Sequence, residues 1–201
     1  MSTSCDTRSR LLDSAQSLIH LRGYGAVGVA EICARSGVRK GSFYHFFPSK
    51  QALTLAVLET QFEGFESRLL KPAFDHRTPP MERFSKFLHR LHEYQTRSMT
   101  ETGHLPGCPF GNLGLELAAQ DESIRLKVES ILQRIRAYFQ AALEDAVEQG
   151  SLVDIDPRAT AEAMLAYLEG VLLMARTRND ANAILYLGPA VLGIRISLVD
   201  P

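Results

Sequence analysis

The sequence predicts an all-α fold: a three-helix helix-turn-helix head at residues 1–50 and a helical body at 51–201, about nine helices together. Three observations predict it. Apolar residues recur at spacings of three and four through most of the chain. Gly and Pro interrupt that periodicity at intervals suited to helix ends. Residues 29–50, Val-Ala-Glu-Ile-Cys-Ala-Arg-Ser-Gly-Val-Arg-Lys-Gly-Ser-Phe-Tyr-His-Phe-Phe-Pro-Ser-Lys, read as two short helices joined by a tight turn.

The first helix carries an apolar stripe of Leu11, Leu12, Ala15, Leu18 and Ile19 and ends in Arg-Gly-Tyr-Gly. In the second, Val29, Ile32 and Cys33 make one apolar face, and Cys33 suits core packing as a small hydrophobe. Gly28 stands at its N-cap, where a hydroxyl is commoner. Gly37 can take the positive φ of a helix-ending turn, and Val38 packs back onto Ile32. The third helix starts near Arg39 or Lys40. It turns Phe43, Phe46 and Phe47 inward and leaves Arg39, Lys40, Ser42, Tyr44 and His45 outward. Pro48 ends it, because the residue before a proline is driven out of the α region. Ser49 caps the fourth helix, about Lys50 to Leu70, which Lys71-Pro72 ends. Lys50 lies in the first turn, where a cation opposes the helix dipole and a nearby phosphate would offset the conflict.

In the body, Met81 to about Glu101 shows Phe84, Phe87, Leu88, Leu91 and Tyr94 on one face. A break at Gly103–Pro109 precedes a short helix to about Gln120. Asp121–Gln149 is one long helix striped by Ile124, Val128, Ile131, Ile135, Phe139 and Leu143. Asp154 and Asp156 read as turn and cap residues, and Pro157 opens the next helix. The last spans about Ala181 to Leu198, with a kink or break at Gly188-Pro189. The last two helices are apolar on more than one face, and Ala161, Ala163, Ala166 and Gly170 permit close helix approach. Such a pair predicts an interface between two copies of the chain.

Charge separates the two parts. Net charge is −1 overall, but residues 1–50 carry +4 and the remainder −5. A basic end on an acidic body is the electrostatic footprint of a DNA-binding head, and an exposed basic, hydroxylated and aromatic helix suits the major groove. No apolar run approaches 18 residues, and the N-terminal residues lack the apolar core of a secretory signal. Three cysteines, an odd count without framework spacing, fit a reducing compartment. These features lead to an expectation of a cytoplasmic protein. His89 with His92, and His104 with Cys108, have ligand-like spacing but no clear third ligand, so no metal is expected. No Gly-rich phosphate loop, HExxH or nucleophile motif is present, so neither an enzyme nor a cofactor is expected.

On Arg8–Gly25, Ala30-Glu31-Ile32, Ser36-Gly37-Val38, and Lys40-Gly41-Ser42-Phe43-Tyr44-His45-Phe46-Phe47-Pro48-Ser49-Lys50 with Ala52-Leu53, the chain resembles the TetR family of one-component transcriptional regulators. The resemblance implies groove and backbone contacts from Arg39, Lys40 and Ser42, phosphate contacts from Tyr44 and His45, and a backbone-facing Lys50. It also implies a body that binds a small-molecule inducer and dimerises through the last two helices, reading a palindromic operator. Gly107-Cys108-Pro109-Phe110-Gly111-Asn112 resembles a Gly-Cys-x-x-Gly-Asn motif of a branch that includes electrophile- and acrylate-responsive repressors. That places Cys108 at or near a ligand pocket with Phe87, Leu91, Tyr94, Phe110, Asn112 and Phe139. Three roles stay open for Cys108: reactive sensor, pocket lining or packing. A thiol at a helix N-terminus is favoured as thiolate, the nucleophilic form. The alternative function is an activator, or a regulator controlled by a protein partner without a small-molecule ligand.

Overall fold

The computed structural model describes residues 2–197, with side chains from Asp6 onward. Among the described residues the fold is all-α. The chain forms two compact units, residues 1–63 with 109–130, and 64–108 with 131–201. The division falls inside the fourth helix, and segment 109–130 joins the N-terminal helices. Side-chain pairing explains this: the Phe62 and Phe110 rings lie 6.3 Å apart, Gln51 donates to the Asp121 carboxylate at 2.7 Å, and Lys127 pairs with Glu59.

In the first unit, α1 (Ser2–Arg22), α2 (Val29–Ser36) and α3 (Lys40–Phe46) precede α4 (Lys50–Phe65). The whole expected stripe of α1 is buried, together with Ile32, Cys33, Val38, Phe43 and Phe47. Gly37 takes φ +64° and closes α2, and the Val38 N–H returns to the Cys33 carbonyl at 3.0 Å. Phe47, before Pro48, is extended at φ −136°, ψ 117°. The Ser49 hydroxyl accepts the Ala52 N–H at 3.0 Å, as an N-cap does. Phe46 is only half-buried and meets His45 edge-on. Two later elements complete the unit: α6 (Pro109–Leu117), and the start of α7 (Glu122–Glu148), whose Ile124 N–H bonds the Asp121 side chain.

In the second unit, the α4 chain path does not stop at Lys71-Pro72. It passes through a π-helical turn, Glu66–Leu70, into a last turn, Lys71–Ala73. The Lys71 N–H reaches back five residues to Glu66. Pro72 has no N–H for the Arg68 carbonyl, and the Arg90 guanidinium contacts that carbonyl at 3.4 Å. Helix α5 (Pro80–Thr102) buries Phe84, Phe87, Leu88 and Leu91 as expected. Its stripe continues through Gln95, whereas Tyr94 is turned outward. Phe74, Phe84, Phe87 and Phe139 form an aromatic core with ring centroids 5.4–5.8 Å apart. Arg83, 2% exposed, is tied to the Asp145 carboxylate and to the Thr78 and His76 carbonyls.

Helix α8 (Pro157–Arg178) begins at Asp156, whose side chain accepts the Arg158 and Ala159 N–H groups, and ends at Asn179 with φ 52°. Asp154 sits in the preceding turn at φ 55°. The last helix is much shorter than expected: α9 covers Ala183–Leu187, followed by a 3₁₀ run, Gly188–Gly193. Pro189 removes an α-helical donor here, and Leu198 lies outside the described residues. Ala161 is buried within the subunit, while Ala166 and Gly170 are exposed.

Candidate functional site

The recognition helix is built from two opposed sets of side chains. Phe43 and Phe47 anchor α3 from beneath, 6.2 Å apart, with Arg8 over the Phe47 ring. The opposite surface displays Arg39, Lys40, Ser42, Tyr44 and His45, all exposed. Tyr44 packs edge-on to Phe43 at 5.1 Å, which holds the phenol while its hydroxyl faces water. Two cations, a hydroxyl, a phenol and an imidazole along seven residues can meet phosphates and base edges together. Cys33 lies beneath this surface, and burial pushes its thiol up from the usual range.

The Lys50 ammonium is engaged within the protein. It donates to the Tyr24 and Val27 carbonyls, each at 3.0 Å, and lies 3.7 Å from the centre of the Tyr24 ring. Burial lowers the lysine's proton affinity, and the nearby Glu116 charge acts against that shift. Glu116 on α6 holds the same loop from the other side, a role that no local motif signals. Its carboxylate accepts the Tyr24 N–H at 2.9 Å and the Gly25 N–H at 2.7 Å. Gly23 permits this at φ +82°: a Cβ there would come within 3.0 Å of the same carboxylate. Arg22 completes the arrangement by pairing with Glu31 of α2.

In the second unit, the loop before α6 is fixed from both sides. Gln95, 1% exposed, brackets Gly107: its amide N–H donates to the Gly107 carbonyl at 3.0 Å and its carbonyl accepts the Gly107 N–H at 3.2 Å. The Asn179 side chain accepts the Leu105 N–H at 2.8 Å and donates to the Gly103 carbonyl at 3.2 Å. Gly107 has φ +72°, and a Cβ would come within 3.1 Å of the Arg176 side chain. Half-buried Cys108 follows, immediately before α6. Burial raises the pKa of Glu169 on α8, and its interaction with the Cys108 thiol acts the other way.

The other expected pocket residues belong to both units. Phe87, Leu91 and Phe139 are buried in the second unit, the two rings close-packed at 5.6 Å. Tyr94, on the same unit, is exposed, with its phenol in electrostatic reach of Cys108 and Arg68. Phe110 and Asn112 belong to the first unit, Phe110 buried and Asn112 half-buried. A groove of about 250 Å³ in the second unit is lined by Phe74, His76, Arg83, Ala137, Tyr138 and Ala141, none of them an expected ligand contact. His89 bonds the Ser85 carbonyl through its ring, and His92 contacts Thr96. Among the described residues no group of three His, Cys, Asp or Glu could hold a metal ion, and no helix is long and apolar enough to cross a membrane.

Two family descriptions match the chain: "Bacterial regulatory proteins, tetR family" over residues 11–57, and "Tetracyclin repressor-like, C-terminal domain" over residues 80–187. The chain is 35% identical over 157 residues to the transcriptional regulator AcuR of Cereibacter sphaeroides, covering 77% of this chain and 69% of that one. It is 27% identical over 175 residues to the HTH-type transcriptional repressor NemR of Escherichia coli, covering 87% and 86%. The crystal structure of a regulatory protein TetR from Rhodobacter sphaeroides matches with a TM-score of 0.80 at 29% identity, over 94% of this chain and 98% of that one. The reduced form of NemR from E. coli matches with a TM-score of 0.79 at 26% identity, over 97% and 100%.

Proposed function

Because this chain belongs to the TetR family of DNA-binding transcriptional regulators, we propose that it is a homodimeric repressor, released from a palindromic operator by a small-molecule inducer in the cytoplasm. The observation that carries the DNA reading is the outward row Arg39, Lys40, Ser42, Tyr44 and His45 above the buried Phe43 and Phe47. Arg39, Lys40 and Ser42 meet the groove and adjacent backbone, and Tyr44 and His45 hold phosphates. Lys50 acts one step removed, by bracing the Tyr24–Val27 loop. The dimer forms through α8 and α9, where Leu173, Met174, Leu185 and Tyr186 are exposed apolar residues on the last two helices. A two-fold pair of heads then reads two half-sites.

The inducer is a small electrophile that reacts at Cys108. The half-buried thiol on a loop fixed by Gln95 and Asn179 supports this, as does similarity to a repressor solved in a reduced form. The test is binding of the purified protein to DNA from its own upstream region, across a salt series, with and without a thiol-reactive electrophile. Specific binding that the electrophile abolishes, and that Cys108→Ser retains, is the expected result. Tyr44→Ala weakens binding to operator and scrambled DNA alike, whereas Arg39→Ala changes the preference between them. Equal losses from both variants on both DNAs would remove the division of roles. Operator binding indifferent to the electrophile would remove Cys108 as the sensor.

A further inference from the structure

We propose that Arg8, on the first helix, is a phosphate ligand of the DNA-binding head, held by the Phe47 ring at the C-terminal end of the recognition helix. This rests on DNA lying against α3, and it adds a contact from outside that helix. The outward row Arg39, Lys40, Ser42, Tyr44 and His45 belongs to α3 and its N-cap. Arg8 reaches the other end of α3 from α1. Its guanidinium carbon lies over the Phe47 ring, 5.4 Å from the centroid, and Phe47 is the C-cap residue of α3. Phe47 is buried and packs on Phe43, which meets Tyr44 edge-on. One continuous row of rings therefore fixes where the Tyr44 phenol and the Arg8 guanidinium stand. Both residues are exposed at its ends.

The charges on α1 separate Arg8 from its neighbours. Arg10 is paired with Asp6 at 3.5 Å, and Arg22 with Glu31. Among the described residues no carboxylate pairs with Arg8, whose contact is an aromatic face. A ring attracts the cation without consuming its N–H donors, so they stay available to an outside acceptor. The ring also restricts the side chain beforehand, which lowers the entropy lost on binding. The end of α3 needs a cation. Its last carbonyls carry partial negative charge, which repels a phosphate strand running past them. A guanidinium at that end offsets the repulsion. Because α3 itself fills the groove, a side chain that flanks it from another helix meets the phosphates of the groove wall rather than base edges.

The test uses full-length protein and a fluorescein-labelled duplex of scrambled sequence, because a phosphate contact does not depend on sequence. Affinity is measured by anisotropy across a salt series, and the quantity read is the slope of log K against log salt. Arg8→Met keeps an unbranched stem over the Phe47 ring and removes the charge. Its slope should be shallower by about 0.9 for each head on the duplex. Arg8→Lys should keep the wild-type slope. Arg10→Met removes the same charge from a residue already paired with Asp6 and should keep it too. Melting temperatures are read in parallel. An Arg8 that only covers Phe47 would shift the melting temperature in Arg8→Met and leave the slope unchanged, which would overturn the proposal. An equal loss of slope in Arg10→Met would also overturn it, because net charge alone would then explain the effect. Lys40→Met distinguishes the two readings. A slope reduced by Lys40→Met and not by Arg8→Met keeps α3 on the DNA and removes Arg8. Wild-type protein that binds no duplex at any salt overturns both.

Discussion

Glu116→Ala removes both acceptors that hold the loop between α1 and α2. The side chain closes two hydrogen bonds from backbone N–H groups to a carboxylate, at 2.9 and 2.7 Å. Bonds to a charged partner contribute about 1.5–3 kcal/mol each. Gly25 is exposed and recovers water, so the full sum is not lost. Tyr24 is half-buried and recovers less. The net cost is about 2 kcal/mol, or roughly 4–8 °C in melting temperature for a chain of this size. Thermal unfolding followed by far-UV circular dichroism measures the global effect. Amide hydrogen exchange at Tyr24 and Gly25 measures the local one, and both amides should lose protection while Phe43 keeps its own. Glu116→Gln should fall between wild type and alanine, because one acceptor remains. An unchanged melting temperature together with unchanged exchange at both amides would refute the role given to Glu116.

Three further outcomes follow from other contacts. Asp145→Asn should destabilise the protein by about 2–4 kcal/mol near neutral pH, because it leaves the buried Arg83 guanidinium without its carboxylate. Arg83 and His76 hold the Asp145 carboxyl below its usual 3.8. The wild-type advantage is therefore full above that value and disappears as pH falls through the lower folded one, which denaturant titrations from pH 7 to pH 2 will read. Gly107→Ala should cost about 1–2 kcal/mol in chemical denaturation, since a side chain is strained at φ +72° even before it meets Arg176. Leu173→Glu, on the exposed apolar surface of α8, should convert the proposed dimer to monomers in size-exclusion light scattering while helicity is retained.

The head was legible because its signals are local. Gly37, Pro48 and Ser49 each set one backbone choice within a residue or two, and the structure shows all three doing so. The long stripe on α7 was legible for the same reason of periodicity. What escaped the sequence depends on partners far along the chain. Lys50 invited a phosphate, yet it is engaged by carbonyls 23 and 26 residues before it. Glu116 reaches back more than 90 residues to the loop that it holds. Pro72 should have ended a helix, and the path continues because a π turn and Arg90 accommodate its missing donor. In the α5 stripe a buried amide, Gln95, stands where the apolar pattern pointed to Tyr94, because it has backbone polar groups of Gly107 to satisfy.

The π turn at Glu66–Leu70 also sets the angular phase of everything after it. One residue more than a regular turn requires is wound into the helix, and each residue of an α-helix subtends about 100°. Phe74 reaches the rings of Phe84, Phe87 and Phe139 from a path that includes this extra residue. Winding the same residues as an ordinary α-helix would instead rotate Phe74 by about 100°, away from the rings it meets. The chain thus carries a rotational offset in a single turn, which makes residue count there matter more than residue identity.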